Sequence, residues 1–476
     1  MTQDRQDRIE TTRNKLTEHN QEQLLQFVNQ LDDTQQRQLL ADIDSLDLPM
    51  LDELIEPYVL QAPKFELPKE ILPPPVYPIE PESGLKDKYA RARQLGRSLI
   101  AADKVAAFVV AGGMGTRLGF DGPKGCYPAT PIRKKALFQV FADKIQAAQT
   151  RYGGIIPWYI MTSQANHQTT EQAFADNDYY GLNPDNVILF QQGMMPSFDR
   201  EGKILLREKH RLAMSPDGHG GSLLALNKSG ALADMKKRGV EYISYWQVDN
   251  PHVHVVDPLF IGLHALDDAE MSSKAVIKCD PLEKVGNFTL VHDRITVIEY
   301  SDLSDTLARK KNPDGSYMFE LGSIAIHLIS RSFVERINEH GFSLPWHRAD
   351  KKAPYVDESG TRIEPKKKNG VKLETFIFDA LPLAEKSIIL TIDRVEEFAP
   401  IKNATGVDSA ESSRELQIER AARWLEAAGI AVPRKPDGAV DAVLEISPRF
   451  ALDADEVKRK AAQLTAIPAG ATICLE

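Results

Sequence analysis

The order of apolar and polar residues along the chain indicates several kinds of structural element. Between residues 104 and 248, short apolar runs typical of buried strands alternate with amphipathic segments typical of helices. The predicted strands are 104–110, 158–161, 187–190 and 242–248, with a further one at 288–291. The predicted helices are 136–150, 166–178 and 223–238. This alternation predicts an α/β fold with a mostly parallel sheet and helices on both of its faces.

The N-terminal part of the chain has a different pattern. Residues 1–60 carry apolar side chains at helical spacing and contain no glycine, which predicts helices. Seven prolines follow within residues 61–84, beginning with Pro63. They predict an extended linker, because proline fixes φ and lacks an N–H donor. A short helix is expected at 85–101.

The regular alternation ends near residue 404, where a small polar stretch begins. Beyond it we predict a helix at 414–428 and strands at 442–446 and 471–475. The chain is therefore expected to have three parts. These are an N-terminal helical segment with its linker (1–100), a central domain (101–404) and a small C-terminal α/β domain (405–476).

Composition narrows the class of protein. The chain of 476 residues is 42% hydrophobic, so it can bury a large core, and its net charge is −10. An acidic chain is a poor nucleic-acid binder, and no apolar run approaches the ~20 residues of a membrane helix. We therefore expect no nucleic-acid or membrane partner. The polar N-terminus does not have the pattern of a signal peptide, and three widely spaced cysteines fit a reducing cytoplasm.

The most informative segment is residues 110–125, with the sequence VAGGMGTRLGFDGPKG. Its glycines can bring backbone N–H groups close to a polyphosphate, and Arg117 and Lys124 supply two separate cations. Walker A is excluded, because Lys124 is followed by Gly125 and not by Ser or Thr. The dinucleotide fingerprint fails as well, since its third glycine would fall on Leu118. The loop is best explained as a nucleotidyltransferase loop that folds over a nucleoside triphosphate.

Several motifs occur together with this loop in one order along the chain: YIMTS, NVILFQQGMMP, SPDGHGG, VDN, VIEYSDL, NGVKLETFIFD and EEFAPIKNA. With them, the chain resembles the uridylyltransferases of the UDP-sugar pyrophosphorylase superfamily (UDPGP type 1). It is most similar to the eukaryotic-type UDP-N-acetylglucosamine pyrophosphorylases. The resemblance implies a Rossmann-like, glycosyltransferase-A-like nucleotidyltransferase domain in the centre of the chain. It also implies attack by a sugar 1-phosphate oxygen on the α-phosphorus of UTP, with release of pyrophosphate.

The resemblance assigns phosphate-binding roles to four cationic residues. Arg117 and Lys124 would hold the β- and γ-phosphates of UTP, and Lys402 would hold the sugar phosphate. Lys372 matches a further lysine that neutralises phosphate. These assignments rest on the motifs, because lysines are common on any protein surface.

Asp249 lies at the end of predicted strand 242–248, where such a fold presents a metal-binding carboxylate. Mg²⁺ prefers one or two carboxylates plus phosphate oxygens, so Mg²⁺ is the expected cofactor. His252 and His254 are expected on one face of a strand. Because no third ligand accompanies them in the sequence, we interpret both histidines as structural.

The remaining substrate contacts are also implied by the resemblance. The nucleotide would be bound by Gly112, Gly113, Gln192 and Gly218, with Gln192 contacting the uracil edge. The sugar would be bound by Gly286 and Glu299, and Asn250 would contact the sugar or the ribose.

Two positions depart from the N-acetylglucosamine branch. His219 and Ser323 each replace an asparagine that lines the sugar subsite there. An imidazole or hydroxyl offers different hydrogen bonds from an amide, so the choice of sugar is open. N-acetylglucosamine 1-phosphate is favoured, because the flanking motifs fit that branch, and glucose 1-phosphate is the alternative.

Two other classes of function compete with uridylyl transfer. A non-catalytic sensor of nucleotide sugars is expected to have lost a cation, yet Arg117, Lys124 and Lys402 are all present. A dinucleotide oxidoreductase is disfavoured by Leu118. The sequence does not indicate an oligomeric state.

Overall fold

The protein's structure, a computed structural model, describes residues 3–62, 66–339, 341–342, 344–460 and 466–476. The chain forms two compact units, each built from several segments. Unit 1 comprises Met1–Glu66, Gly193–Gly221 and Leu344–Phe376, and unit 2 comprises Leu67–Gln192, Ser222–Ser343 and Ile377–Glu476. The division into an N-terminal segment (1–100), a central domain (101–404) and a C-terminal domain (405–476) stays a prediction.

Unit 2 is built around a nine-stranded mixed sheet. Its strands are β1 (Val105–Val110), β2 (Trp158–Thr162), β3 (Val187–Gln191), β4 (Tyr242–Gln247), β5 (Met271–Ile277), β6 (Gly286–Val291), β7 (Arg294–Ile298), β8 (Leu321–Ser330) and β9 (Ile389–Thr391). The order is β7-β6-β8-β4-β1-β2-β3, and β5 pairs with both β8 and β9. The strands predicted at 104–110, 158–161, 187–190 and 242–248 are confirmed.

Strands β4, β1, β2 and β3 are parallel neighbours. Val105 of β1 is opposite Tyr242 of β4, and Ala107 of β1 is opposite Trp158 of β2. The inner strands β1 and β2 are almost fully buried, as expected for a parallel sheet covered by helices on both faces. Their carboxyl ends lie at one edge of the sheet, where ligands bind in open α/β folds.

The helices of unit 2 include those predicted at 85–101, 136–150, 166–178 and 414–428. They are Lys86–Ala101, Leu137–Tyr152, His167–Asp176, Ser222–Lys228, Ala231–Lys237, Pro258–Leu266, Asp305–Ala308, Arg331–Glu339, Arg394–Glu397, Ala410–Ala427 and Ala454–Lys460. The single helix predicted over 223–238 is wrong, because Gly230 adopts a left-handed φ of 82° that ends one helix before the next begins.

Part of the predicted linker contacts the sheet. The Tyr77 N–H donates to the Ile389 carbonyl at 2.8 Å, and the Leu72 N–H donates to the Leu290 carbonyl at 3.1 Å. A proline-rich segment cannot form a regular strand, because proline lacks an N–H donor. The N–H groups of Leu72 and Tyr77 are instead satisfied by single bonds to strands β6 and β9. Pro63 lies outside the described residues.

The C-terminal residues of unit 2 add a small apolar cluster of their own, which includes Trp424, Leu425 and Leu444. Strand Ala442–Ile446 pairs in parallel with strand Ala471–Leu475, at the positions that the sequence predicts. Within the described ranges, no helix is both long enough and apolar enough to cross a bilayer.

Unit 1 contains the N-terminal helices and several short antiparallel strands. Its helices are Gln3–Glu18, Asp33–Asp44 and Leu48–Leu54, which confirms the helical prediction for this segment. Its strands are Met194–Pro196, Leu206–Glu208, Arg211–Leu212, Met214–Pro216, Trp346–Lys351, Tyr355–Val356, Arg362–Ile363 and Gly370–Thr375. Asp32 caps the second helix by accepting from the N–H groups of Thr34 and Gln35.

Candidate active site

The glycine-rich loop follows β1 and closes on itself through main-chain hydrogen bonds. The Gly115 N–H donates to the Gly122 carbonyl at 2.8 Å, and the Lys124 N–H donates to the Gly113 carbonyl at 3.0 Å. A Cβ atom on Gly115 would lie 2.6 Å from Cδ1 of Phe120, so this turn requires glycine. The loop is therefore an ordered hairpin, and it leaves the side chain of Arg117 exposed to solvent.

A buried side chain that sequence reasoning missed holds this hairpin. Asn166 is fully buried, and its Nδ2 donates to the carbonyls of Ala111 and Gly113 at 2.9 and 3.2 Å. Its Oδ1 accepts from the Ser163 N–H at 2.8 Å. Asn166 therefore ties the loop after β1 to the segment after β2. An isolated asparagine just before a helix looks like an ordinary turn residue, so nothing in the sequence distinguished it.

Gln192 follows β3 and faces the start of the hairpin. Its N–H donates to the Thr162 carbonyl at 2.8 Å, which fixes the main chain beside β2. Its side-chain Oε1 lies close to Gly112, 2.7 Å from the position of a Cβ atom there. Gly112 and Gln192, both predicted to contact the nucleotide, thus lie side by side at the carboxyl edge of the sheet.

Asp249 lies just beyond β4, and its carboxylate is largely buried. Nζ of Lys124 is 3.9 Å from its Oδ2, beyond hydrogen-bonding distance. Burial lowers the pKa of Lys124; the charge of Asp249 opposes this effect, whereas Lys402 and Arg117 lower the pKa further. The predicted phosphate-binding cations and the predicted metal ligand are therefore close enough for their charges to act on one another.

Main-chain bonds bring the Lys402 segment to Asp249. The Ile401 N–H donates to the Asp249 carbonyl at 2.9 Å. Next to it, the buried amide of Asn250 donates to the Glu397 carbonyl at 2.6 Å and accepts from the Ala399 N–H at 3.0 Å. These bonds give Asn250 a structural function, and its predicted substrate contact stays a prediction.

The carboxylate of Asp249 fits the expected Mg²⁺. It lies beside Lys124, which is predicted to bind phosphate, and its distance from that ammonium leaves its oxygens available to a cation. Mg²⁺ commonly uses one or two carboxylates and completes its shell with substrate phosphates and water. The single carboxylate of Asp249 is therefore a sufficient protein ligand for Mg²⁺.

A second group of possible metal ligands comprises His254, Asp257 and Glu397. Nζ of the buried Lys274 already donates to Asp257 and Glu397, at 2.6 and 2.7 Å. An ammonium thus compensates both carboxylates, which argues against a metal ion there. The strand expected to carry His252 and His254 is wrong: both lie in the loop after β4, because pairing in β4 ends at Gln247.

Three residues predicted to contact the sugar form one corner of unit 2. A Cβ atom on Gly286 would lie 3.7 Å from both Oε1 of Glu299 and Cβ of Ser323. Gly286 and Ser323 are opposite each other in the pairing of β6 with β8, and Glu299 directly follows β7. Gly286 begins β6, whereas the sequence predicted that this strand starts at 288.

Three further predicted site residues belong to unit 1. Gly218 has a φ of 90°, and a Cβ atom there would lie 2.3 Å from the Thr375 carbonyl oxygen. The ring of His219 stacks on Phe376 with centroids 5.3 Å apart, and burial lowers the pKa of His219 to about 4. His219 is therefore neutral at pH 7. Nζ of Lys372 lies 2.6 Å from a carboxylate oxygen of Glu374.

Comparison with known proteins connects this geometry with one family. The family described as UTP–glucose-1-phosphate uridylyltransferase matches residues 68–423. A "UDP-N-acetylhexosamine pyrophosphorylase-like protein 1" of Homo sapiens is 37% identical over 79% of this chain and 80% of its own length. The "UDP-N-acetylglucosamine pyrophosphorylase" of Saccharomyces cerevisiae is 37% identical over 76% of this chain and 78% of its own length.

A solved structure extends the similarity to nearly the whole chain. It is the uridine diphosphate N-acetylglucosamine pyrophosphorylase of Trypanosoma brucei in complex with an inhibitor. The two proteins are 25% identical with a TM-score of 0.80, over 99% of this chain and 98% of that one. The similarity therefore includes the parts of the chain on either side of the family match.

Proposed function

Because the chain belongs to the UTP–glucose-1-phosphate uridylyltransferase family, we propose that it transfers the uridylyl group of UTP to N-acetylglucosamine 1-phosphate. The products are the UDP-sugar and pyrophosphate. The observation that carries this proposal is the grouping of Arg117, Lys402 and Asp249 around Lys124 at the carboxyl edge of the sheet. A cationic edge of this kind suits a reaction between two phosphate-bearing substrates.

In the proposed reaction, an oxygen of the sugar phosphate attacks the α-phosphorus of UTP. A new phosphorus–oxygen bond forms, and the bond to the bridging oxygen of the β-phosphate breaks, so pyrophosphate leaves with that electron pair. Such transfers depend on positioning and on charge stabilisation more than on covalent catalysis. The task of the chain is therefore to align two anionic groups and to neutralise the charge that develops.

Each cation would neutralise a different phosphate. Arg117 and Lys124 would bind the β- and γ-phosphates, where negative charge accumulates as pyrophosphate leaves. Lys402 would hold the attacking sugar phosphate on the other side. Asp249 would hold Mg²⁺, which neutralises phosphate oxygens when it is bound.

The uracil and the sugar would be recognised by groups on other strands. The amide of Gln192 can both donate to and accept from a uracil edge. Glu299 would accept hydrogen bonds from sugar hydroxyls, with Gly286 allowing close approach of the ring. Glucose 1-phosphate remains the second candidate substrate, because His219 and Ser323 replace the asparagines of the N-acetylglucosamine branch.

A pyrophosphate-release assay with UTP, Mg²⁺ and separate sugar 1-phosphates tests the proposal. We expect release to be fastest with N-acetylglucosamine 1-phosphate and to stop when UTP is replaced by ATP or the sugar phosphate is omitted. Binding of a UDP-sugar without any pyrophosphate release would instead support a sensor. Faster release with glucose 1-phosphate would keep uridylyl transfer but change the assigned sugar. We also propose a cytoplasmic location, which cell fractionation would test.

A further inference from the structure

Lys402 begins a tight loop that ends at Asp408. The Asp408 carbonyl accepts from the N–H groups of Lys402 and Asn403, at 2.6 and 3.0 Å. Asp408 itself has a φ of 59°, in the left-handed region that Asp and Asn adopt more readily than most residues. The side chain of Asn403 also donates to the Val407 carbonyl at 2.8 Å. These hydrogen bonds close the loop, so that Asp408 lies directly beside Lys402.

The side chains of the two residues also lie together. Oδ2 of Asp408 is 3.9 Å from Nζ of Lys402, and the same Nζ lies 5.5 Å from the centroid of the Phe398 ring. Both charged side chains are partly exposed, by 41% for Lys402 and 29% for Asp408. A lysine has a long, flexible side chain, and a carboxylate with an aromatic face restricts where its ammonium can lie.

We propose that Asp408 is a positioning residue for Lys402: its carboxylate holds the ammonium at the site where the sugar phosphate must be bound. The inference rests on the proposed function, because it assigns Asp408 to the same phosphate-binding lysine. Asp408 does not need to touch either substrate. It limits the conformations of Lys402, so that the attacking oxygen is aligned with the α-phosphorus of UTP.

The charge around Lys402 supports this role. Lys402, Lys124 and Arg117 bring three positive charges to one region, and Asp249 contributes one carboxylate. Asp408 adds the second carboxylate. Burial and the charge of Asp249 raise the pKa of Asp408, and the Lys402 ammonium is the main group that opposes this rise and favours the ionised carboxylate. At 3.9 Å the carboxylate holds the ammonium by charge attraction and not by a hydrogen bond, so a phosphate oxygen can approach Lys402 without breaking one.

The variants Asp408→Asn and Asp408→Gly separate the carboxylate from the loop geometry. Asn and Gly both tolerate a positive φ, so each variant can keep the loop closed while it removes the charge. We expect kcat to fall about tenfold or more in both variants, while the KM for UTP stays within about twofold. Asp293→Asn is the matched control, because Asp293 is also in the left-handed region, with a φ of 60°, but lies in an exposed turn.

Chemical labelling reports on Lys402 without relying on turnover. With the full chain and an amine acylating reagent, mass spectrometry of the Lys402 peptide should show labelling at least about threefold faster in both Asp408 variants, since the ammonium is no longer held by an opposite charge. Labelling of the exposed Lys366 should be unchanged. Unfolding temperatures within about 2 °C of the wild type would establish that the fold is intact.

Each outcome is decisive. A kcat within twofold of the wild type in either variant, or unchanged labelling of Lys402, overturns the positioning role. Loss of UTP affinity together with a lowered unfolding temperature in both variants assigns Asp408 a structural role instead, and also overturns it. A wild-type protein that releases no pyrophosphate overturns the proposed function, whereas the labelling result still decides whether Asp408 holds Lys402.

Discussion

The side-chain Oε1 of Gln192 lies 2.7 Å from the position that a Cβ atom on Gly112 would occupy. A methyl group there would push the Gln192 amide away from its place beside the hairpin. We therefore expect Gly112→Ala to raise the KM for UTP about tenfold with a smaller effect on the KM for the sugar phosphate. Steady-state kinetics with each substrate varied in turn would measure this difference.

Gly84→Ala is the control for that variant, because no heavy atom lies within 4 Å of a Cβ atom at Gly84. It should behave like the wild type. An unchanged KM for UTP in Gly112→Ala would show that the amide of Gln192 does not contact the nucleotide.

Arg117 extends from the hairpin into solvent, close enough to Lys124 to lower the pKa of that lysine. Its guanidinium can bind two phosphate oxygens at once. We expect Arg117→Ala to reduce kcat by a factor of about a hundred or more while the unfolding temperature stays the same. Arg117→Lys keeps the charge but loses the paired geometry, and should retain an intermediate rate. Near-normal turnover in the alanine variant would refute the assigned role.

The sequence predicted the parallel strands β1 to β4 well, because buried parallel strands are continuous apolar runs and their ends are marked by polar residues. Strands β5, β7, β8 and β9 of the same sheet were not predicted. Errors arose where one residue overrides a pattern. Gly230 interrupts an amphipathic segment by adopting a positive φ. The segment with His252 and His254, which was predicted to be a strand, is a loop. The sequence alone does not reveal which hydrogen bonds end a strand.

The family and the α/β nucleotidyltransferase fold, both inferred from motifs, are confirmed by the comparisons. The residues that hold the site residues in place could not be predicted in the same way. Asn166 acts across the fold by donating to the carbonyls of Ala111 and Gly113, and Asp408 lies beside Lys402 only because a tight loop closes; neither belongs to a local signature. The individual roles of the site residues stay predictions that the variants described here would test.

His219 stacks on Phe376, which also stacks on His347 with ring centroids 4.3 Å apart. The imidazole is neutral at pH 7, because burial lowers its pKa to about 4. We expect His219→Asn to shift the ratio of kcat/KM values towards N-acetylglucosamine 1-phosphate by about fivefold or more, since an amide offers a different set of hydrogen bonds. His210→Asn is the control, and an unchanged ratio in His219→Asn would show that this position does not choose the sugar.

Lys274 stabilises the segment that leads to Lys402. Its buried ammonium compensates the carboxylates of Asp257 and Glu397. Burial raises the pKa of Asp257, but the charge and hydrogen bond of Lys274, together with His254 and a main-chain N–H, lower it to about 2. Lys274→Met would leave two carboxylates uncompensated, so we expect a loss of about 3–5 kcal/mol in the free energy of unfolding. Lys310→Met, at an exposed position, should cost little in the same urea titration. A small loss in Lys274→Met would mean that the carboxylates find other partners.

His264 is fully buried between two serine side chains. Its Nδ1 lies 2.6 Å from the Ser272 hydroxyl oxygen, and its Nε2 lies 3.0 Å from the Ser330 hydroxyl oxygen. The Ser330 hydroxyl donates to the Ala269 carbonyl at 3.0 Å, so it accepts a hydrogen bond from Nε2. Nδ1 then accepts from Ser272, and the folded protein holds the ring in its neutral form.

This arrangement predicts a specific dependence of stability on pH. Burial lowers the pKa of His264 from 6.5 in the unfolded chain to about 3 in the folded protein. Between these values the unfolded chain binds the extra proton, so stability falls as the pH falls. From pH 6.5 to pH 4 the loss attributable to His264 is about 3 kcal/mol. Urea unfolding at both pH values should show that loss in the wild type relative to His264→Gln, and equal losses in both proteins would contradict the assignment.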